Sequence, residues 1–302
     1  MAAGTSSSSV QQLYADVVAD LQAYYSDAVM LPNQAFIMNS YDLSGPEAGN
    51  TIRIPLTNSY SAAGAVAEGG DIRQTGVQSN LVPTAANITL SKFGIATDVS
   101  EEALEDGGIA TVRNAVLTRL SKGLAEAVDT AGFAALKAGI TQETGDAAGA
   151  NSAFTEHFVM SPECLATASG RQPTVATWYN PNLDLHEFRG TVRQGFVVMR
   201  PEFGCKVTDR TDSFAAPTAN LENYLKAVAT LRKSNAPEMA DGSYIGFVSP
   251  EEEFSIAKQL SSVNDATLGS LSDIGNRTLL SGLIGQAAGI TFFRSNRLPD
   301  AS

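Results

Sequence analysis

The sequence predicts an α+β fold in which β-strands and one unusually long helix occupy separate stretches of the chain. The first observation is a pair of strands rich in Ile and Thr, Thr51–Leu56 and 86–97. The second is a proline-free helical stretch over 109–138. The third is composition, because 43% hydrophobic and 17% charged residues in a chain of 302 are typical of a folded protein.

The two predicted strands are separated by a long loop with no apolar periodicity. Roughly thirty residues lie between them, including Gly64, Gly69, Gly70 and Gly76, whereas a β-hairpin needs roughly two to five. Ordering such a loop costs conformational entropy that no local core offsets. We therefore expect a neighbouring subunit to supply the missing contacts.

The long helix is predicted from apolar residues that recur every four positions. They are Val112, Val116, Leu120, Leu124, Val128 and Leu136. Gly139 follows where a left-handed glycine often ends a helix. At about 1.5 Å per residue the helix is on the order of 45 Å long, enough to form the spine of an elongated subunit.

Shorter helices are predicted before and after the long helix. A capping box at 9–12 starts a helix over about 10–27, and few apolar anchors follow in 32–50. Ser100 or Asp98 is placed to cap a short acidic turn. Asn220 is placed to cap a helix whose apolar face comprises Leu221, Leu225, Val228 and Leu231.

A strand followed by Ser-Pro-Glu occurs twice, at 158–163 and 247–251. Serine as cap and proline at the first helical position predict a strand-to-helix junction in both places. We favour chance recurrence of a common junction over an internal duplication. Further strands are predicted at 191–199, 204–207 and 290–295, with a turn at 178–182.

Charge and hydropathy exclude several functional classes. The net charge is −12, the pI is about 4.6 and Lys and Arg form no run, which argues against tight nucleic-acid binding. The N-terminus has no signal-peptide pattern and no segment approaches about twenty apolar residues, so we expect no membrane span and a cytoplasmic product at synthesis. The two cysteines, Cys164 and Cys205, are expected to be reduced thiols.

Catalytic and ligand-binding motifs are sparse. Cys164 with His157 or His186 is the available nucleophile and base, but no nucleophile elbow is present. The same residues with Cys205 lack the short spacing of a zinc motif, and the acidic cluster 98–106 lacks calcium-loop spacing. The glycines of 282–289 precede a strand, unlike a dinucleotide fingerprint. We therefore expect no catalytic site, cofactor or metal.

The order of these parts resembles the major capsid proteins of tailed bacteriophages, which share the Hong Kong 97 fold. The resemblance lies in the N-terminal arm, the loop with Ala67-Glu68-Gly69, the strand with Lys92-Phe93-Gly94-Ile95, the acidic turn and the long helix. It continues from Asn220 to Leu298-Pro299 and covers about two thirds of the chain. No single motif is diagnostic, and the specificity lies in their order.

The resemblance implies three familiar parts and one segment that departs from the usual order. The familiar parts are an N-terminal arm over 1–50, an extended E-loop and peripheral domain with spine helix over 51–139, and an axial domain over 218–302. The E-loop is placed at about 57–86. Between the last two parts, 140–217 departs from the usual order, and the sequence leaves open whether this β-rich segment is an insertion or a rearrangement.

The resemblance also implies which residues contact neighbouring subunits. They are Glu68, Gly69, Gly70, Asp71 and Arg73 in the loop, and Leu13 and Tyr24 in the first helix. Some members of the family crosslink the loop through a lysine. Here the chain has no lysine before Lys92, so we expect the contact to be non-covalent.

The function implied is that of a non-enzymatic coat protein of an icosahedral phage head, in the virion capsid and assembled in the host cytoplasm. We expect homo-oligomers as pentamers and hexamers, a separate scaffolding protein, a portal and a decoration protein as partners, and enclosed double-stranded DNA without specific binding. The alternatives are an encapsulin-like bacterial compartment shell and a soluble hydrolase using Cys164 or His186.

Overall fold

The structure is a computed structural model. It describes the residues 19–25, 30–31, 37, 39–43, 49–56, 68, 84–107, 109–145, 154–210, 221–262 and 285–301.

The described ranges contain runs of strands followed by helices rather than a strict alternation, as in an α+β protein. The strands are β1 (Asn39–Asp42), β2 (Thr51–Leu56), β3 (Thr84–Thr89), β4 (Ser91–Ser100), β5 (Glu143–Gly145), β6 (Phe154–Met160), β7 (Leu165–Asn180), β8 (Leu185–Val198), β9 (Gly204–Arg210), β10 (Tyr244–Val248), β11 (Gln286–Ala287), β12 (Ile290–Arg294) and β13 (Asp300–Ala301). The helices are α1 (residues 19–25), α2 (Glu101–Gly107), α3 (Ile109–Gly139), α4 (Leu221–Lys233) and α5 (Pro250–Ser262).

The first sheet has the strand order β1-β7-β8-β4 and lies along α3. Alternate residues of β4 and β8, such as Ile95 and Val192, face the helix and pack with Leu120 and Leu124. Leu21 and Tyr25 of α1 join the same apolar layer. The opposite face of this sheet receives the β2–β3 ladder described below.

The second sheet has the order β11-β12-β10-β6-β9-β5, with β13 also paired to β6. Its central strands β6, β9 and β10 are buried almost continuously, as expected for strands covered on both faces. Tyr224 of α4 and Phe133 of α3 pack into the same cluster as Phe158 and Phe247 of the central strands. The C-terminal end of α3 therefore joins the two sheets through one core.

The segment 140–217 contributes to both sheets. It supplies β6 and β9 to the second sheet, while the hairpin β7–β8 between them extends the first. The chain thus crosses from one sheet to the other and back within this segment. The division of the chain into the four parts 1–50, 51–139, 140–217 and 218–302 stays a prediction.

The periodicity predicted for α3 is confirmed, and the role predicted for its last glycine is wrong. The repeat from Val116 to Leu136 is buried against the sheets. Gly139 is the last helical residue and is not among the glycines with positive φ. A Cβ on Gly139 would lie 2.5 Å from the Cβ of Val198, so close packing against β8 requires glycine there.

The single strand predicted over 86–97 is divided in two at Leu90. The amide of Leu90 donates to the carbonyl of Asn50 at 2.8 Å, and its side chain is buried. At this residue the chain leaves its pairing with β2 and begins its pairing with β8. The residues on both sides of Leu90 favour β-structure, so the sequence did not indicate this change of partner strand.

The two Ser-Pro-Glu junctions have different structures. Ser249 caps α5, and its Oγ accepts from the amide of Glu252 at 3.2 Å, as predicted. The helix predicted at Ser161 is wrong. The Ser161 hydroxyl instead donates to the carbonyl of Pro237 at 2.7 Å, and a tight turn at 162–164 leads directly into β7.

The apolar face predicted for α4 is wrong at one position. Leu225 is 50% exposed, whereas Tyr224, Ala227, Val228 and Leu231 are buried. The helix is rotated so that the tyrosine, whose hydroxyl donates to Glu252 at 3.0 Å, faces the core.

Candidate assembly interface

The base of the predicted E-loop is a two-stranded antiparallel ladder of β2 and β3. Its register runs from Thr51 opposite Thr89 to Leu56 opposite Thr84. In the described part of the chain, these strands pair only with each other. An isolated two-stranded ladder is marginally stable in water, so its position depends on what it packs against.

The ladder packs at its base on the face of the first sheet opposite α3. Ile54, Ile88 and Leu90 form an apolar cluster with Ala166 and Ala168 of β7. These small alanines let the ladder approach the sheet closely.

At Gly195 of β8 the sheet comes close to the backbone of β3. A Cβ there would lie 2.5 Å from the Thr89 carbonyl oxygen and 2.9 Å from Cγ2 of Ile88. Beside it, the guanidinium of Arg193 donates to the side-chain oxygen of Asn50 at 2.8 Å. The base of the ladder is therefore fixed in direction by sterics and by a hydrogen bond.

Two of the seven predicted contact residues, Glu68 and Tyr24, lie within the described residues. Glu68 lies in an exposed turn, and Tyr24 of α1 is 38% exposed beside the buried Leu21 and Tyr25. The other five, Leu13, Gly69, Gly70, Asp71 and Arg73, lie outside the described residues. The structure does not bring the two described residues together into one site.

A second exposed feature is the tip of the β7–β8 hairpin. Trp178 is 66% exposed, Leu183 is 65% exposed and Tyr179 is 45% exposed. The sequence placed a turn at 178–182, but β7 continues to Asn180 and the turn occupies 181–184. A tryptophan beside an Asn-Pro-Asn turn is the signal that could have identified an exposed aromatic tip.

The tip is braced by polar contacts to α2. The hydroxyl of Tyr179 donates to Oδ1 of Asp184 at 2.6 Å, and this bond raises the pKa of the phenol. Nε2 of His186 contacts the Glu101 carboxylate, and the Glu101 amide donates to the Asp184 carbonyl at 3.2 Å. The tip therefore presents its apolar side chains on a supported turn.

The acidic turn predicted after β4 is the helix α2. The Ser100 hydroxyl accepts from the amide of Ala103 at 3.3 Å, so Ser100 is the capping residue rather than Asp98. Within the described ranges, no three His, Cys, Asp or Glu side chains are grouped as metal ligands.

The candidate nucleophiles are buried and poorly reactive. Burial raises the pKa of Cys164 to about 12 and that of Cys205 to about 11, so both thiols are protonated near neutrality. Cys164 is fully buried, which leaves no access for a substrate. His186 is committed to Glu101 at the hairpin tip.

The nearest arrangement to a catalytic dyad is His157 with Ser249. Their Nε2 and Oγ atoms are 3.3 Å apart, but the serine caps α5 and the histidine is fully buried. Burial lowers the pKa of His157 to about 3, and within the described residues Nδ1 has no hydrogen-bond partner to orient the ring. This pair fits a structural role rather than general-base catalysis.

Comparison with known proteins gives a match at the level of fold. No protein-family model matches the chain, and no curated protein matches it.

Among the described residues, no helix is long and apolar enough to cross a membrane.

The chain has the Hong Kong 97 fold of tailed-phage major capsid proteins. The bacteriophage JBD30 capsid structure aligns with a TM-score of 0.53 at 13% identity, covering 89% of this chain and 91% of that chain. The procapsid of the same phage gives a TM-score of 0.50 at 12% identity, with 85% and 91% covered. A virus-like particle from Pyrococcus furiosus gives 0.43 at 10% identity, with 65% and 99% covered, a likeness too weak to argue from.

Proposed function

We propose that this chain is the major capsid protein of a tailed double-stranded DNA phage and that it forms the icosahedral head shell. Copies associate as pentamers and hexamers, and the role is structural rather than enzymatic. The observation that carries the proposal is the β2–β3 ladder, whose base is fixed on the sheet and whose strands pair only with each other in the described residues.

A ladder of this kind favours contact with a second copy. Both strands of a two-stranded sheet are edge strands, and edge strands tend to pair with or pack on another chain. Because the base of the ladder is fixed on the sheet, a contact made by the ladder would repeat in the same way from copy to copy. Such head-to-tail contacts close into rings when the rotation between copies permits.

The hairpin tip supports the proposal from a different part of the chain. Trp178 and Leu183 are large apolar side chains that are two thirds exposed. Aromatic side chains exposed at a supported tip are typical of protein interfaces. We assign this tip to contacts between copies in the shell.

The residue contacts proposed for the loop and the arm follow the same logic. Glu68, Gly69, Gly70, Asp71 and Arg73 in the loop would lie on a neighbouring subunit, and Leu13 and Tyr24 would contact neighbours from the first helix. Without a lysine before Lys92, the loop would be held by packing and hydrogen bonds.

The partners follow from the proposed role. They are a separate scaffolding protein, a portal and a decoration protein, with assembly in the host cytoplasm and the mature chain in the virion capsid. The net charge of −12 suits a wall that encloses DNA without adhering to it. The hydrolase alternative would require a buried thiol of high pKa to act as nucleophile, and no observation favours it.

The test is assembly of the full chain, expressed with and without its scaffolding protein. Light scattering after gel filtration and electron microscopy are expected to show closed shells. A Trp178→Ser variant is expected to assemble less well than wild type, while Thr177→Ala, an exposed change on the same strand, assembles normally. A small monodisperse particle in every condition, with a loop at 57–83 protected from protease, would overturn the proposal.

A further inference from the structure

A buried carboxylate in the middle of α3 holds two chain segments that are far apart in sequence. Asp129 is fully buried. The amide of Met30 donates to its two oxygens at 3.1 and 3.0 Å, and the amide of Leu31 donates to Oδ1 at 3.0 Å. The guanidinium of Arg297 donates to Oδ2 from the C-terminal side.

The N-terminal partner is also anchored by packing. Leu31 is fully buried, and a Cβ on Gly132 would lie 2.7 Å from its Cδ1, so this leucine lies directly on α3 one turn after Asp129. The backbone of 30–31 is therefore held to the helix by both an apolar side chain and two amides.

The C-terminal partner lies between two backbone anchors. The amide of Ser295 donates to the carbonyl of Val248 at 2.9 Å, and the carbonyl of Pro299 accepts from Glu156 at 3.1 Å. Arg297 lies midway between them, and its ion pair with Asp129 is a side-chain contact from this segment to α3.

One carboxylate cannot serve the two segments independently. A buried charge is stable only when its hydrogen-bonding capacity is filled, and loss of one donor leaves the charge under-compensated for the others. Burial raises the pKa of Asp129, while the two amides and the guanidinium oppose that rise. The donors from both segments therefore stabilise the same buried carboxylate in its charged form.

We propose that Asp129 is a latch that couples the docking of 30–31 to the docking of 295–299 on α3. Release of either segment loosens the other, because both depend on the same buried carboxylate. Binding linkage of this kind is reciprocal. The coupling is a property of the single chain and does not depend on shell assembly.

The test is hydrogen–deuterium exchange of the full chain before assembly, followed by mass spectrometry. Arg297→Met removes the C-terminal partner, and Arg294→Met is the matched control, since Arg294 pairs with Glu253 at 3.6 Å rather than with Asp129. Arg297→Met is expected to speed exchange at Met30 and Leu31 on the order of a hundredfold, because removing one partner of a buried ion pair is strongly destabilising. Arg294→Met leaves those amides as slow as in wild type.

Two further variants complete the test. Leu31→Ala is expected to speed exchange of the amides of 295–298, as reciprocity requires, and Arg297→Lys retains part of the protection. Asp129→Asn is expected to release both segments; if it yields no folded protein, the Arg297 variants and Leu31→Ala decide. Wild-type exchange at Met30 and Leu31 in Arg297→Met, or equal effects of Arg294→Met and Arg297→Met, would overturn the latch.

Discussion

Gly195→Ala is expected to displace the β2–β3 ladder from the first sheet without unfolding that sheet. The added Cβ would lie 2.5 Å from the Thr89 carbonyl oxygen, whereas ordinary contact begins at about 3.4 Å. The ladder must therefore move by about 0.9 Å, and both nearest neighbours, Thr89 and Ile88, belong to β3. A backbone oxygen cannot swing away as a flexible side chain does.

The energetic cost follows from two opposing effects. Overpacking of this kind costs about 1–3 kcal/mol, and replacing glycine by alanine gains about 0.4–1 kcal/mol by restricting the unfolded chain. The net loss is therefore about 0–2.6 kcal/mol, with a middle value of about 1.3 kcal/mol. We expect it to appear mainly as faster hydrogen exchange in β2 and β3 and as poorer shell assembly, with α3 remaining protected.

The matched control is Gly94→Ala on β4 of the same sheet. Its Cβ would meet Cγ2 of Thr191 at 3.5 Å and the Gly190 carbonyl at 3.6 Å, which are ordinary contacts. This variant is expected to assemble and exchange like wild type. If Gly195→Ala and Gly94→Ala behave alike in both assays, the ladder is not positioned by its approach to Gly195.

Three other predictions address the core, the acid response and the hairpin tip. Leu120→Ala, in the layer between α3 and the first sheet, is expected to lower the free energy of unfolding, measured in urea, by about 2–5 kcal/mol. The control Arg119→Ala changes an exposed residue and is expected to alter that free energy by no more than about 0.5 kcal/mol. Equal effects of the two variants would contradict the assigned core. Below pH 6.5 His157 becomes protonated in the unfolded state, whereas in the folded state it stays neutral until about pH 3. His157 therefore lowers the free energy of unfolding by about 1.4 kcal/mol for each pH unit between 6.5 and 3 as the pH falls. Unfolding of wild type and His157→Gln across pH 3–6.5 measures the difference in slope, and parallel curves would refute a buried neutral imidazole. Trp178 is the chain's one tryptophan, so its emission is expected to shift to the blue and its acrylamide quenching to fall on assembly; unchanged signals in closed shells would remove the tip from the interface.

The sequence predicted the features that depend on local periodicity. The repeat from Val116 to Leu136 identified the buried face of α3, and the strand Thr51–Leu56 was located within its observed bounds. The cap at Ser249 was also predicted, because its hydrogen bond joins residues three positions apart. Such signals are encoded in a short window and need no tertiary information.

Features that depend on distant partners were not predictable in this way. Ser161 has the same local sequence as Ser249, but its hydroxyl binds the carbonyl of Pro237, and this contact accompanies a turn where a helix was expected. The division of one predicted strand at Leu90 depends on Asn50, forty residues earlier along the chain. The docking of 30–31 on Asp129 likewise leaves no trace in local periodicity.

The same limit applies to the candidate interface. That the loop lacks partners within its own chain was predicted from its length and glycine content and stays a prediction. The exposure of Trp178 and Leu183 became visible only once β7 and β8 were paired. Amphipathic patterning identifies faces that must be buried, and it does not distinguish a core tryptophan from one at a hairpin tip.

The path of the chain between the two sheets has a mechanical consequence. The chain leaves the second sheet after β6, forms the hairpin β7–β8 and returns to the second sheet at β9. Strand β8 of the hairpin is paired with β4 from Leu185 to Gln194. Tension applied at the hairpin tip runs parallel to these strands, so it loads many backbone hydrogen bonds in shear at once instead of opening them one by one. A subunit built this way transmits pulling forces from its tip to both sheets, and in the proposed shell this would spread a load applied at one contact over the whole subunit.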